Sequence, residues 1–141
     1  MIQAKRLRAL VVDDNAYARG MAGASLHKLG FGTIEEASGG ARAVVLLLRG
    51  RYDLVLLDWY MPDINGAGIM QVLRDPRFGE ASDVPVILMT AYASAANIAR
   101  ARDLGVNEVL VKPFSTEQLG AMLEQVLGGA AASAETSTVF V

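Results

Sequence analysis

The chain has no cysteine and a single histidine, His27, in 141 residues. Without cysteine there is no disulfide and no thiolate-held metal or redox centre. One histidine leaves too few nitrogen ligands for a zinc site. An excess of one charge is missing too: 13 basic against 15 acidic residues give a net charge of −2. That balance provides no electrostatic footprint for nucleic acid. No apolar run approaches the roughly 20 residues that a membrane helix needs. The N-terminus, MIQAKRLRALVVDD, imitates the start of a signal peptide, but its apolar run stops at Asp13-Asp14, too soon for a secretory hydrophobic region. These absences predict a cytoplasmic, soluble protein with neither a nucleic-acid nor a membrane partner.

What is present is apolar: 52% of the residues are hydrophobic, enough for one domain with a full core. Five short runs recur, at 7–12, 32–37, 53–57, 84–89 and 108–111. Four are β-branched or leucine-rich without alternation, which suits strands covered on both faces. The second is more polar and fits a sheet edge. Helical spacing fills the intervals, at about 15–29, 39–49, 66–74, 94–104 and 115–127. Gly30, Gly50, Gly105 and Gly128 follow four of these segments, where a left-handed C-cap residue is wanted. Asp14 or Asn15, Ser94 and Ser115 stand at helix starts, and Ser115 with Gln118 reads as a capping box.

Strict β/α alternation predicts an α/β fold: a five-stranded parallel sheet of order 2-1-3-4-5 with helices on both faces, the flavodoxin-like doubly wound arrangement. The connection 75–85 is longer than usual and is expected to be ordered. The domain is expected over 1–127. Residues 128–141, rich in Gly, Ala, Ser and Thr, read as a flexible C-terminal tail or linker remnant. Val139-Phe140-Val141 is a candidate docking peptide, with loose packing on the domain as the plainer alternative.

The strand ends carry the chemistry. The first apolar run ends in Asp13-Asp14, the third in Asp58, the fourth in Thr90 and the fifth in Lys112-Pro113. In the predicted sheet all of these reach one edge, and the first and third strands are neighbours. Three carboxylates brought together raise one another's pKa unless a cation intervenes. Carboxylate and water oxygens are hard ligands that suit Mg²⁺. Three carboxylates, one divalent cation and Lys112 sum to neutrality. Asp58 is then a candidate nucleophile for phosphoryl transfer, which asks for in-line placement and charge neutralisation more than for a strong nucleophile. Asp14 and Asp58 would hold the metal, Asp13 would orient a metal-bound water, and the Tyr60 main-chain carbonyl is a further candidate ligand. Lys112 and the Thr90 hydroxyl would each take a phosphoryl oxygen.

Asp13-Asp14, Asp58 followed by Met61-Pro62 and Gly66, Thr90-Ala91, and Lys112-Pro113-Phe114 occur in that order at successive strand ends. With these motifs the chain resembles, over about residues 6–127, the receiver domain of two-component response regulators. The resemblance implies that Asp58 accepts a phosphoryl group from a histidine kinase or a histidine phosphotransfer protein, and that the acyl phosphate later hydrolyses with the help of the same Mg²⁺. It implies a cis bond before Pro113. It implies that Thr90 moves toward the phosphoryl group and biases a surface of the fourth helix, fifth strand and fifth helix, which controls a downstream protein. Two positions depart from the family pattern. Val109 stands where the family commonly has an aromatic switch residue, and Tyr92 is a partial substitute. Tyr60 and Tyr92 are bulky beside the path of the hydrolytic water and are expected to slow dephosphorylation. Either the domain docks to its partner unaided or the chain is an excised receiver with some linker; Met1 and the short tail favour the first.

Each residue alone has a plainer reading. Asp13-Asp14 could cap a helix, Asp58 could precede a turn made by Met61-Pro62-Asp63, Thr90 could be a strand-end hydroxyl, and Lys112 a solvated charge. His27, Arg100 and Arg102 read as solvated helix residues, and Trp59 as packing at the site's edge. Gly66 and Gly68 suggest either a simple turn or close backbone approach. Three other functions compete. A nucleotide or FMN binder of this fold needs a phosphate-cradling loop where the chain has Asp-Asp-Asn. A haloacid-dehalogenase-like phosphatase needs an acid two residues after its nucleophile, where Tyr60 stands. A non-phosphorylated pseudo-receiver normally lacks one of the acids or the lysine, and all are here.

Overall fold

The computed structural model describes residues 6–135, without the side chains of 80, 81 and 129–135. Five strands, β1 (Arg8–Val12), β2 (Thr33–Ala37), β3 (Leu54–Asp58), β4 (Val86–Thr90) and β5 (Glu108–Val111), alternate with five helices. These are α1 (Ala16–Lys28), α2 (Gly40–Arg49), α3 (Gly66–Leu73), α4 (Ala95–Asp103) and α5 (Thr116–Glu135). All pairings are parallel and the order is β2-β1-β3-β4-β5, as the alternation predicts. The apolar runs of β3 and β4 lie inside the sheet and are buried throughout, whereas the polar β2 forms one edge.

Side-chain alternation sorts the core into two layers. Leu10, Val12, Val55, Leu57, Val86 and Leu88 pack beneath α2 and α3 on one face. Ala9, Val11, Leu54, Leu56, Ile87 and Met89 pack against α1 and α5 on the other. A strand buried on both faces leaves no position for a charge except its end. The acids therefore stand at the rim of the sheet.

Helix ends follow local chemistry at most positions. Asn15 caps α1 by accepting the Ala18 amide at 2.9 Å, and Ser94 caps α4 through the Asn97 amide at 3.1 Å. The Ser115–Gln118 capping box is closed in both directions, at 2.8 and 3.0 Å. Gly30 and Gly105 adopt the left-handed conformation, with φ of 97° and 100°. Two expected left-handed caps are corrected. Gly50 is extended, with φ −120° and ψ 171°, because β3 starts four residues on and an extended exit spans that gap. Gly128 lies inside α5, which runs to Glu135. Val139-Phe140-Val141 lie outside the described residues.

The 75–85 connection is ordered as two 3₁₀ turns within Pro76–Asp83, separated by a kink at Gly79, whose φ is 64°. Half-buried Arg74 organises it. Its guanidinium donates to the carbonyls of Ser82 and Val84, both at 2.8 Å, and to Gly105 at 2.8 Å.

Gly66 is where the fold meets the rim. Its amide donates to the Trp59 carbonyl at 2.8 Å, so α3 starts directly against the residue after Asp58. A Cβ there would lie 2.5 Å from the Trp59 ring and 3.0 Å from its Cα. Close backbone approach, and not a simple turn, explains this glycine. Gly66→Ala is expected to destabilise the protein by about 1–3 kcal/mol, the usual cost of overpacking, read as a lower denaturation midpoint with an unchanged denaturant slope.

Candidate functional site

The carboxyl ends of β1, β3, β4 and β5 bring together Asp13, Asp14, Asp58, Thr90 and Lys112. Each of the three acids offers an oxygen, and these oxygens lie within 4.8 Å of one another. Asp13 is fully buried, Asp58 nearly so, and Asp14 is exposed. Lys112 spans the two buried acids. Its Nζ donates to Asp13 Oδ2 at 2.6 Å and to Asp58 Oδ1 at 3.2 Å. The Lys112–Pro113 bond is cis. The site thus assembles the residues that the strand ends predict, and the lysine grips Asp13 more closely than Asp58.

The electrostatics show an unfinished balance. Burial pushes the Asp58 carboxyl up, the Asp13 charge pushes it further, and Lys112 offsets only part of this. Burial alone would pull Lys112 down, but its hydrogen bond to Asp13 and the charges of both acids outweigh it, so its pKa is raised and the ammonium is held protonated. Two buried acids and one exposed acid share a single lysine. An oxygen-rich site with residual negative charge and one open side fits a hard divalent cation that keeps part of its water.

Supporting contacts hold Asp13 in place. Its Oδ1 accepts the Asn15 amide at 2.9 Å, and its main-chain carbonyl accepts from Arg19 Nη1 at 2.8 Å. Arg19 also pairs with Glu36 at 2.8 Å. Asp63, read in the sequence only as a turn residue, accepts the amides of Gly40 and Ala41 at 3.0 Å each. It caps α2 from the loop that leaves Asp58. Those amides hold its carboxyl down at about 2. Neither Arg19 nor Asp63 announces its role in the sequence, because their partners are brought near only by the fold.

The remaining candidates lie around this cluster. Trp59 is half-buried against the core. Tyr60 and Tyr92 are exposed, and their rings meet edge-on with centroids 6.4 Å apart. Val109 lines a small recess with Thr90, Tyr60 and Tyr92. Thr90 is buried, and its Oγ1 is bonded to the backbone of Tyr92. His27 and Arg100 are exposed, and Arg102 pairs with Glu108 at 2.9 Å. No helix among the described residues is long and apolar enough to cross a membrane.

Known proteins share this arrangement. The family described as response regulator receiver domain matches residues 9–124. A probable chemotaxis protein CheY of Rhizobium etli is 34% identical over 126 residues, covering 89% of this chain and 95% of that protein. Chemotaxis protein CheY-3 of Vibrio cholerae is 34% identical over 122 residues, covering 86% and 92%. Among solved structures, Vibrio cholerae CheY4 superposes with a TM-score of 0.79 at 27% identity, covering 86% of this chain and 98% of that one. The receiver domain of the Pseudomonas aeruginosa sensor histidine kinase PA1611, solved with magnesium in its active-site cleft, gives 0.77 at 29% identity, with coverage of 86% and 98%.

The raised Asp58 pKa has a consequence with a definite sign. A carboxyl that holds its proton more tightly when folded stabilises the fold below the ordinary aspartate value, about 3.9, and loses that contribution as pH rises through its own raised value. Asp58→Asn is therefore expected to raise the melting temperature of the metal-free protein at neutral pH. The gain should fade as pH falls from that raised value toward the ordinary aspartate value, and be gone below it. Mg²⁺ should stabilise the wild type more than the variant. Thermal melts across pH, with and without Mg²⁺, measure all three.

Proposed function

The chain belongs to the response regulator receiver domain family, and from that premise we propose that Asp58 is the residue that is phosphorylated. It is a phosphoacceptor signalling domain. The observation that carries the assignment of Asp58 is the Lys112 ammonium, held between Asp13 and Asp58 where three carboxylates meet.

Asp13, Asp14 and Asp58 would hold Mg²⁺, with the Tyr60 carbonyl as a further ligand. When bound, the metal supplies positive charge to the phosphoryl oxygens. The chain's own groups do the rest. An Asp58 carboxylate oxygen attacks phosphorus, the P–N bond of a phosphohistidine breaks, and its electron pair returns to the imidazole. The shorter Lys112 bond, to Asp13, anchors the ammonium; the longer, to Asp58, is the one exchanged for a phosphoryl oxygen. Thr90 donates to another. Water later attacks phosphorus, the P–O bond breaks, and the Asp58 carboxylate is restored. The exposed rings of Tyr60 and Tyr92 narrow the approach of that water and slow this step. The donor is a histidine kinase or a histidine phosphotransfer protein, met in the cytoplasm. The output is a protein that docks on α4, β5 and α5. A dehalogenase-type phosphatase is disfavoured because Tyr60 takes the place of its second acid.

Incubation with Mg²⁺ and a small phosphodonor is expected to add one phosphoryl group, seen by intact-protein mass spectrometry, and to change Trp59 emission. Asp58→Asn should abolish both responses to the donor. Lys112→Ala should slow phosphorylation by about a hundredfold, the scale of losing one preorganised donor to developing charge. An unmodified wild-type mass under these conditions would overturn the assignment.

Tyr60→Ala is expected to shorten the lifetime of the phosphorylated form, followed by the decay of that mass. An unaltered lifetime would remove the tyrosine from this role.

A further inference from the structure

Thr90 has one hydroxyl proton, and it is already engaged. Its Oγ1 accepts the Tyr92 amide at 3.0 Å and donates to the Tyr92 carbonyl at 3.3 Å. The first bond can persist while the hydroxyl donates elsewhere. The second cannot, because a hydroxyl has a single proton to give. Recruiting Thr90 to a phosphoryl oxygen therefore requires the Tyr92 carbonyl to be released.

Something else holds that carbonyl's loop in place. The Tyr92 ring meets the Tyr60 ring with centroids 6.4 Å apart and planes at 80°, the edge-to-face geometry that aromatic quadrupoles favour. Tyr60 stands two residues after Asp58, and Tyr92 two residues after Thr90. The aromatic contact therefore joins the loop leaving the nucleophile to the loop leaving the hydroxyl. Both tyrosines are more than half exposed, at 57% and 71%, so core packing does not hold them together. On the far side Asn97, in the first turn of α4, reaches the same carbonyl at 3.5 Å, the limit of a hydrogen bond.

We propose that Tyr60 and Tyr92 are positioning residues: their ring contact keeps the loop after β4 where Thr90's proton is given to Tyr92, and Thr90 becomes available to the phosphoryl group only when the contact opens. This rests on Asp58 as the phosphoacceptor. Val109 lines the same recess, and its side chain has no polar atom with which to compete for the hydroxyl.

The test has two arms. In the first, with neither Mg²⁺ nor donor, hydrogen exchange of the Tyr92 amide is followed by NMR. Tyr60→Ala is expected to accelerate it by about threefold to tenfold, the range set by loss of an edge-to-face pair. Tyr60→Phe, which keeps the ring, should leave it unchanged. In the second, beryllofluoride is titrated in the presence of Mg²⁺. Tyr60→Ala and Tyr92→Ala should each tighten binding by a similar factor, and the double variant should tighten it no further, since either change removes the same contact. Unchanged Tyr92 exchange in Tyr60→Ala, or gains that multiply in the double variant, would overturn the proposal. Failure of the wild type to bind beryllofluoride would instead strike at Asp58 as phosphoacceptor. The exchange arm would still decide whether the rings hold the loop.

Discussion

Lys112 gives one positive charge to two buried acids, and the rest of the site depends on that shortage. A buried carboxylate is tolerable when paired and costly when not. Here Asp13 receives the closer bond and Asp58 the longer one. Burial and the neighbouring Asp13 charge raise the Asp58 pKa, and the longer Lys112 bond offsets only part of this, leaving Asp58 with a partner that can be drawn away. A fully satisfied ion pair would be more stable and less reactive. The incomplete pairing leaves room for a divalent cation, and leaves the acid able to bond to something else.

The doubly wound sheet makes this arrangement reproducible. Parallel strands end together, so residues far apart in the chain reach one rim without any local design. Lys112 meets Asp13 across 99 positions of sequence. The helix starts tie the rim down: Asn15 at α1, Asp63 at α2, and Gly66 against Trp59 at α3. Each uses backbone amides at a helix N-terminus, where four have no partner within the helix. The same loops carry Asp58 and its neighbours, so capping three helices also aims the carboxylates.

Much of this was legible from local pattern. Apolar runs located the strands to within a residue or two, and the polar β2 declared itself an edge. The acids, Thr90 and Lys112 were visible because each interrupts or closes an apolar run, where a polar residue is conspicuous. Gly30 and Gly105 took the left-handed exit, whereas Gly50 caps α2 in an extended conformation and Gly128 stays inside α5. A glycine permits a left-handed exit without demanding one. The contributions of Asp63 and Arg74 were hidden. Their bonds span 23 and 31 positions, and an acid after Pro62 or an arginine after Leu73 looks the same whether it caps a distant helix or faces water. Sequence pattern reports periodicity and termini well, and reports long-range pairing only when several such residues converge.

The position of Tyr92 bears on how a change at Asp58 travels. Thr90 shares the parity of Val86 and Leu88, so it belongs to the face of the sheet that carries α2 and α3, and the recess beside it reaches Asn97 and Ile98 of α4. The Tyr92 carbonyl is met by Thr90 on one side and by Asn97 on the other. Withdrawing the Thr90 proton removes the nearer of two donors from that carbonyl and leaves the one on α4. The α4 start is therefore linked to the rim through the Tyr92 carbonyl and the side chains of Thr90 and Asn97, with no aromatic side chain on β5 taking part. If the ring contact gates Thr90 as proposed, a response with valine at position 109 passes through the β4–α4 loop. The residues that anchor that loop would then set how readily the Thr90 hydroxyl is released.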